Sequence, residues 1–276
     1  MNTNLSSGFP ESAQPATRKD LILPRWRFDW LKRTLRSSAP NLYGWMLANQ
    51  TLRSAFHHIR GGRRVPLGNT VSEVFTKIYE TNYWLDPESL SGAGSNLYAT
   101  AKIRGAIPGL FQKYGMRSVL DVPCGDFYWF HAMGLKLDRY IGGDIVKPLI
   151  EETRKKYGSD THSFRVLDLT GDALPQADLI FVRDCFIHLP LELIFASLRN
   201  IAAADISYLL TTHWPDQSNV DIPAGRARAI NLCAAPFHLP SPIEQIEDFA
   251  KGHPVHYLAL WHVDSVRAAL RSLEQA

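Results

Sequence analysis

A chain of 276 residues, 45% apolar and 21% charged, has room for one large α/β domain with an N-terminal extension, and its composition excludes a fibrous or wholly disordered protein. Net charge is +3, but residues 1 to 64 carry 11 Lys/Arg against 3 Asp/Glu and the remainder 19 against 24, a basic arm on an acidic body. Cys124, Cys185 and Cys233 lie far apart without CxxC or Cys/His spacing, which argues against a disulfide framework and a structural zinc.

Residues 1 to 20 are rich in Ser, Pro, Thr and Asn and lack an apolar h-region, so a disordered tail on a cytoplasmic protein is expected. Residues 21 to 68 form a basic extension. There Trp26, Phe28, Trp30, Leu31, Leu35, Leu42, Trp45, Met46, Leu52 and Phe56 alternate with Arg and Lys, the pattern of two short amphipathic helices broken near Pro40. Such helices would cap the main domain or rest on a membrane, and their cations would suit anionic lipid, nucleic acid or an acidic partner protein. Gly61, Gly62, Arg63 and Arg64 read as a linker, and the main domain follows over 69 to 276.

The spacing predicts helices over 71–79 and 97–114, with a polar, glycine-containing loop between them. Strands at 118–122, 140–145, 164–169, 178–184 and 206–213 alternate with helices after Phe127, over 148–157 and over 190–203. Strands separated by helices require crossovers, hence a doubly wound parallel sheet covered on both faces. After the proline-rich run 214–239, a short helix is expected over 244–252 and a last strand over 256–263.

Ligands of such sheets sit beyond the carboxyl ends of the strands. The turn after the first strand, Asp121-Val122-Pro123-Cys124-Gly125-Asp126, has a glycine for close backbone approach but no GxGxxG run, which disfavours a nicotinamide-dependent oxidoreductase. Asp144 ends the second strand, where an acidic side chain accepts ribose hydroxyls. Asp168 closes the third, beside Leu169.

LDVPCGDF resembles the first motif of the class I S-adenosylmethionine (SAM) dependent methyltransferases, and GGDI their acidic second motif. Pro123 stands in a usual glycine position, and Asp126 and Phe127 replace small residues. YWLDPESLSGAGS followed by LDVPCGDFYWF is similar to a bacterial group within that superfamily. The resemblance implies a Rossmann-like, seven-stranded, mostly parallel sheet and SAM as cofactor. It implies that Ser95, Arg104, Asp121, Pro123, Cys124, Gly125, Asp126, Asp144, Ile145, Asp168, Leu169 and Arg183 line the cofactor, with Cys124 a packing residue rather than a nucleophile.

Asp184 and His188, four apart in a stretch read as strand end and helix, would share a face at the methyl-transfer zone, with His213 at the next strand end. These three are the expected catalytic groups, a histidine being the natural base near neutral pH. The stretch also resembles the E-x-x-E-H pattern of small-RNA 2′-O-methyltransferases. Ile187 fills its second carboxylate position, so no metal is expected. Trp129, Trp214, Asn219, Arg226 and Asn231 are expected to contact an acceptor that is a small molecule or glycan, since no basic stripe on the body suits nucleic acid. The competing reading is a noncatalytic SAM-binding or interaction protein tethered by the basic arm.

Overall fold

The computed structural model describes residues 68–248 and 255–275. The expected tail, the two extension helices, the linker and the end of the expected 244–252 helix lie outside the described residues. Among the described helices none is long and apolar enough to cross a membrane.

Helix α1 (Val71–Glu80) begins where the Thr70 hydroxyl accepts the Glu73 backbone N–H at 3.2 Å and the Glu73 carboxylate accepts that of Asn69 at 2.8 Å. Helix α2 (Ala101–Tyr114) starts four residues later than its spacing predicts, because Asn96 turns the chain first. Its side chain accepts the Ala99 N–H at 2.8 Å, and the Thr100 hydroxyl donates to its carbonyl at 2.8 Å. Gly115, at φ +63°, stops α2: Met116 N–H donates to the Phe111 carbonyl at 3.0 Å, closing the helix end.

The remaining elements are β1 (Ser118–Asp121), α3 (Tyr128–Ala132), β2 (Arg139–Asp144), α4 (Lys147–Tyr157), β3 (His162–Val166), β4 (Ala177–Val182), α5 (Leu191–Ala203), β5 (Ile206–His213), β6 (Glu244–Glu247), β7 (Tyr257–His262) and α6 (Val263–Glu274). Among the described residues they build a seven-stranded sheet in the order β3-β2-β1-β4-β5-β7-β6. The first five strands are parallel, while β7 pairs antiparallel with both β5 and β6. This is the Rossmann-like, doubly wound sheet that the alternating pattern predicts. Strand order reverses between β1 and β4, where such sheets open a crevice at their carboxyl edge.

Consecutive strand residues point to opposite faces, so apolar runs such as Val119-Leu120, Leu179-Ile180 and Leu209-Leu210 fill two cores at once. Leu120, Ile180 and Leu209 pack against Ile194, Leu198 and Ile201 of α5 and Val266 and Leu270 of α6. Val119, Leu179 and Leu210 meet Ile103, Ile107, Leu110 and Phe111 of α2 and Trp129 and Phe130 of α3.

Residues 244–247 are a strand, not the start of the expected helix. A four-residue edge strand needs only one apolar side chain facing inward, and Ile246 packs against the core while Ile243, just before the strand, is exposed. Helix α2 seals this edge with the ion pairs Lys102–Glu247 and Lys113–Glu244 and a Tyr114 hydroxyl donated to Glu244 at 3.0 Å. Strand β3 stops at Val166, so Asp168 lies in the turn beyond it rather than at the strand's last position.

Candidate active site

At the crevice, Gly125 takes φ +55° and its backbone N–H donates to the Asp144 carboxylate at 3.2 Å. The Val146 N–H donates to the other Asp144 oxygen at 3.0 Å. Burial pushes Asp144 up to about 6, opposed by these N–H groups. Asp121 sits deeper, accepting the Tyr140 hydroxyl at 2.5 Å, and burial, against that hydroxyl, pushes it up to about 8. Pro123 follows a cis peptide bond, and Cys124 is buried with its N–H donated to the Gly143 carbonyl at 2.8 Å. Burial and then the neighbouring acids push the Cys124 thiol far up, which fits packing and not nucleophilic chemistry.

Asp168 accepts the Thr170 N–H at 2.8 Å and its hydroxyl at 2.7 Å, Leu169 is buried, and Ile145 is half-buried. Cys185 ties these positions together: burial first, and then the charges of Asp144, Asp168 and Asp184, drive its thiol well above the usual range.

A strap over residues 84–97 covers this turn. The buried Asp86 accepts the N–H groups of Glu88 and Ser89 at 2.8 and 3.0 Å and the Asn96 amide at 3.1 Å. Asp126 accepts the Leu90 N–H at 2.8 Å, and its own N–H donates to the Ser91 hydroxyl at 3.2 Å. A Cβ on Gly125 would meet Ser91 Oγ at 2.0 Å, so only glycine fits beneath the strap. Ser95 is buried in a short 3₁₀ turn, and Arg104 donates to the Leu97 carbonyl at 2.9 Å and the Thr100 hydroxyl at 3.3 Å, tying the strap to α2.

Beyond β4 the expected helical face of Asp184 and His188 is replaced. Asp184 takes φ +52° and a 3₁₀ turn spans Phe186–His188, so the two come together through a bend. Asp184 N–H donates to the Thr212 hydroxyl at 2.8 Å, and that hydroxyl is 3.1 Å from Asp184 Oδ1. Arg183 lies 3.1 Å from Asp184 Oδ2 and forms a fork with Asp248 at 2.7 and 3.1 Å, its guanidinium over Trp129. Burial favours the neutral acid, but the Arg183 guanidinium, helped by the Thr212 hydroxyl donated to it, outweighs burial and holds Asp184 below the usual carboxylate range.

His188 Nδ1 is 2.8 Å from the Arg226 carbonyl. A carbonyl only accepts, so Nδ1 carries the hydrogen and Nε2 keeps its lone pair. Loss of hydration lowers the His188 pKa, which keeps the ring neutral, and Trp84 lies against it with centroids 5.3 Å apart.

His213 goes elsewhere. Thr212 reaches Asp184, so the next strand residue must face the opposite side. His213 is fully buried edge-on to Trp261, accepts the Leu232 N–H at 3.3 Å, and is lowered to about 4 by burial. Trp129 is buried beneath Arg183, and Phe237 lies in the core. Asn219 donates to the carbonyls of Asn231 and Ala235, and Asn231 to that of Pro215, so both amides brace the 214–239 loop. Arg226 contributes its carbonyl to His188. Trp214 stacks on His256, centroids 4.3 Å apart and planes 11° apart.

Asp248, His256, Thr212, Tyr140, Trp84 and the strap acids were not predicted. Among the described residues no group of three or more His, Cys, Asp or Glu is arranged to hold a metal ion.

Neither protein-family models nor curated proteins match this chain. Solved structures do. A SAM-dependent methyltransferase from Leishmania major aligns at TM-score 0.55 and 13% identity, over 71% of this chain and 87% of that one. Magnesium protoporphyrin IX methyltransferase from Synechocystis PCC 6803, with S-adenosylhomocysteine bound, aligns at 0.51 and 11% identity over 70% and 99%. The N-methyltransferase NodS from Bradyrhizobium japonicum WM9, also with S-adenosylhomocysteine, aligns at 0.51 and 11% over 67% and 97%. At these identities what this chain shares with them is the class I methyltransferase fold.

Proposed function

We propose that this chain transfers a methyl group from SAM to an oxygen or nitrogen nucleophile of a small-molecule or glycan acceptor. One observation carries the reading. A buried strand-end carboxylate, Asp144, faces a turn whose Gly125 has no room for a side chain, at the point where strand order reverses. The donor set fits a nucleoside. Asp144 accepts backbone N–H groups from Gly125 and Val146 on its two oxygens and would offer its remaining accepting capacity to ribose hydroxyls, and Ile145 and Leu169 offer apolar cover for a base whose amino group Asp168 would accept. Pro123, Cys124, Asp126, Ser95 and Arg104 would wall the amino-acid end, with Asp121 and Arg183 beneath.

When bound, the cofactor supplies a methyl carbon on a positively charged sulfur, activated for in-line displacement. The chain's own share is alignment, and well-oriented reactants reach effective molarities of about 10⁵ M or more. Asp184 holds the acceptor through a donor next to the nucleophile, and His188 Nε2 receives the nucleophile's own proton, adding roughly 10² to 10⁴-fold.

Calorimetric titration with S-adenosylhomocysteine tests the reading. One site is expected, with Asp144→Asn weakening it about tenfold or more through loss of charge-assisted hydrogen bonds. No binding by the intact chain rejects the assignment.

A further inference from the structure

Beside the Arg183 network one buried donor has no partner among the described residues. Among the described residues only two shielded side-chain polar atoms lack a hydrogen-bond partner, Asn82 Oδ1 and Trp214 Nε1. The second stands next to the Arg183 network. Trp214 follows Thr212, the partner of Asp184, by two residues, and its ring stacks on His256, which lies 3.7 Å from Asp248 in the Arg183 network. A shielded N–H without an acceptor costs about 1 to 3 kcal/mol.

Asp184 sets the complementary demand. Its side chain is 26% exposed, whereas those of Arg183 and Asp248 are 6% and 2% exposed, so it is the member of the network that reaches an incoming molecule. Thr212 and Arg183 occupy one direction at each carboxylate oxygen and leave the others to accept. An anionic acceptor would meet this carboxylate unfavourably. A cationic amine would satisfy Asp184 but, having only donors, would leave the Trp214 N–H unpaired. A polyhydroxyl ring answers both, since every hydroxyl donates and accepts, and the Trp84–His188 and Trp214–His256 pairs give apolar walls for its C–H groups.

Resting on the methyl-transfer reading, we infer that the acceptor is a sugar, held by one hydroxyl donated to Asp184 and a neighbouring oxygen accepting from Trp214 Nε1. The reacting hydroxyl oxygen forms the new O–CH3 bond as the S–CH3 bond breaks. That electron pair stays on sulfur, and the hydroxyl proton passes to His188 Nε2. Trp214 is thereby a binding residue for the acceptor, and His188 the base.

The test begins with S-adenosylhomocysteine calorimetry, whose failure sinks the methyl-transfer reading itself. The protein with S-adenosylhomocysteine bound is then titrated with methyl glycosides of mannose, glucose, galactose and rhamnose, using saturation-transfer NMR. Tritiated methyl transfer from SAM is measured for the same glycosides, spermidine and catechol. At least one glycoside is expected to bind and to be methylated on oxygen. Trp214→Phe, which keeps an aromatic ring but not the N–H, should raise the glycoside KM and dissociation constant about tenfold, leaving kcat within about twofold and S-adenosylhomocysteine affinity unchanged. Cofactor binding without any glycoside binding or methylation, methylation of spermidine or catechol instead, or an unchanged KM in Trp214→Phe each overturns the inference.

Discussion

A histidine serves as a base near neutral pH only when one ring nitrogen is unprotonated and reachable, and the two histidines at this sheet edge differ on both counts. His188 has its Nδ1–H fixed by the Arg226 carbonyl, beside an ionised Asp184, whereas His213 is sealed against Trp261 and Leu232. His188→Ala is therefore expected to lower kcat by about 10² to 10⁴-fold while S-adenosylhomocysteine affinity holds. His213→Ala should instead destabilise the fold by about 2 kcal/mol or more through the cavity it leaves, read as a lower urea midpoint. Asp121 carries a pH signature. Its native pKa is raised from 3.8 to about 8, so the folded state binds the proton more tightly than the unfolded chain. The Asp121 contribution to stability is full below pH 4 and is lost as pH rises toward 8. Relative to Asp121→Asn, the thermal midpoint of the ligand-free protein should fall as pH rises from 4 to 8, because the contributions of Asp144 and His213 are common to both proteins and cancel in the difference. An unchanged slope in that variant would assign the effect to another group.

The strap and the turn beneath it form a unit whose tolerance depends on one glycine. Gly125 has a positive φ and no space for a Cβ, so Gly125→Ala should cost about 1 to 3 kcal/mol and weaken S-adenosylhomocysteine binding. The clash is with Ser91 Oγ and Cβ, at 2.0 and 3.1 Å, so adding Ser91→Gly should recover part of both losses and leave only the backbone strain. Failure of the double variant to recover either would show that strain alone decides. Elements with strong periodic signals were legible in the sequence: β1, β2, β4 and β5 are apolar runs bounded by turns, and their order placed Asp144 and Gly125 at one edge. The strap was not legible. Asp126 binds Leu90 and Ser91 across about 35 residues, which no local pattern announces. Strand β6 escaped because four residues are too few to distinguish a period of two from one of 3.6. Strand parity also separates His213 from Asp184, although both stand at strand ends.

Strands β6 and β7 are joined to the five parallel strands at their carboxyl edge by buried charge as well as by backbone pairing. Asp248, just past β6, grips Arg183, just past β4, and Arg183 in turn holds Asp184. Buried ion pairs repay their desolvation poorly, and removing one member leaves the others stranded, at about 3 to 5 kcal/mol. Arg183 is the cation between two carboxylates, so Arg183→Met should be the most damaging single change. Asp248→Asn should cost less, because Arg183 keeps Asp184. The double variant Arg183→Met with Asp248→Asn should be more stable than Arg183→Met alone, since one stranded charge has been removed. Urea midpoints of the four proteins measure this coupling. A double variant whose loss equals the sum of the single losses would mean that the fork does not bind the two halves of the sheet together. With coupling present and methyl transfer still absent in the double variant, the network is retained for the carboxylate it aims rather than for stability.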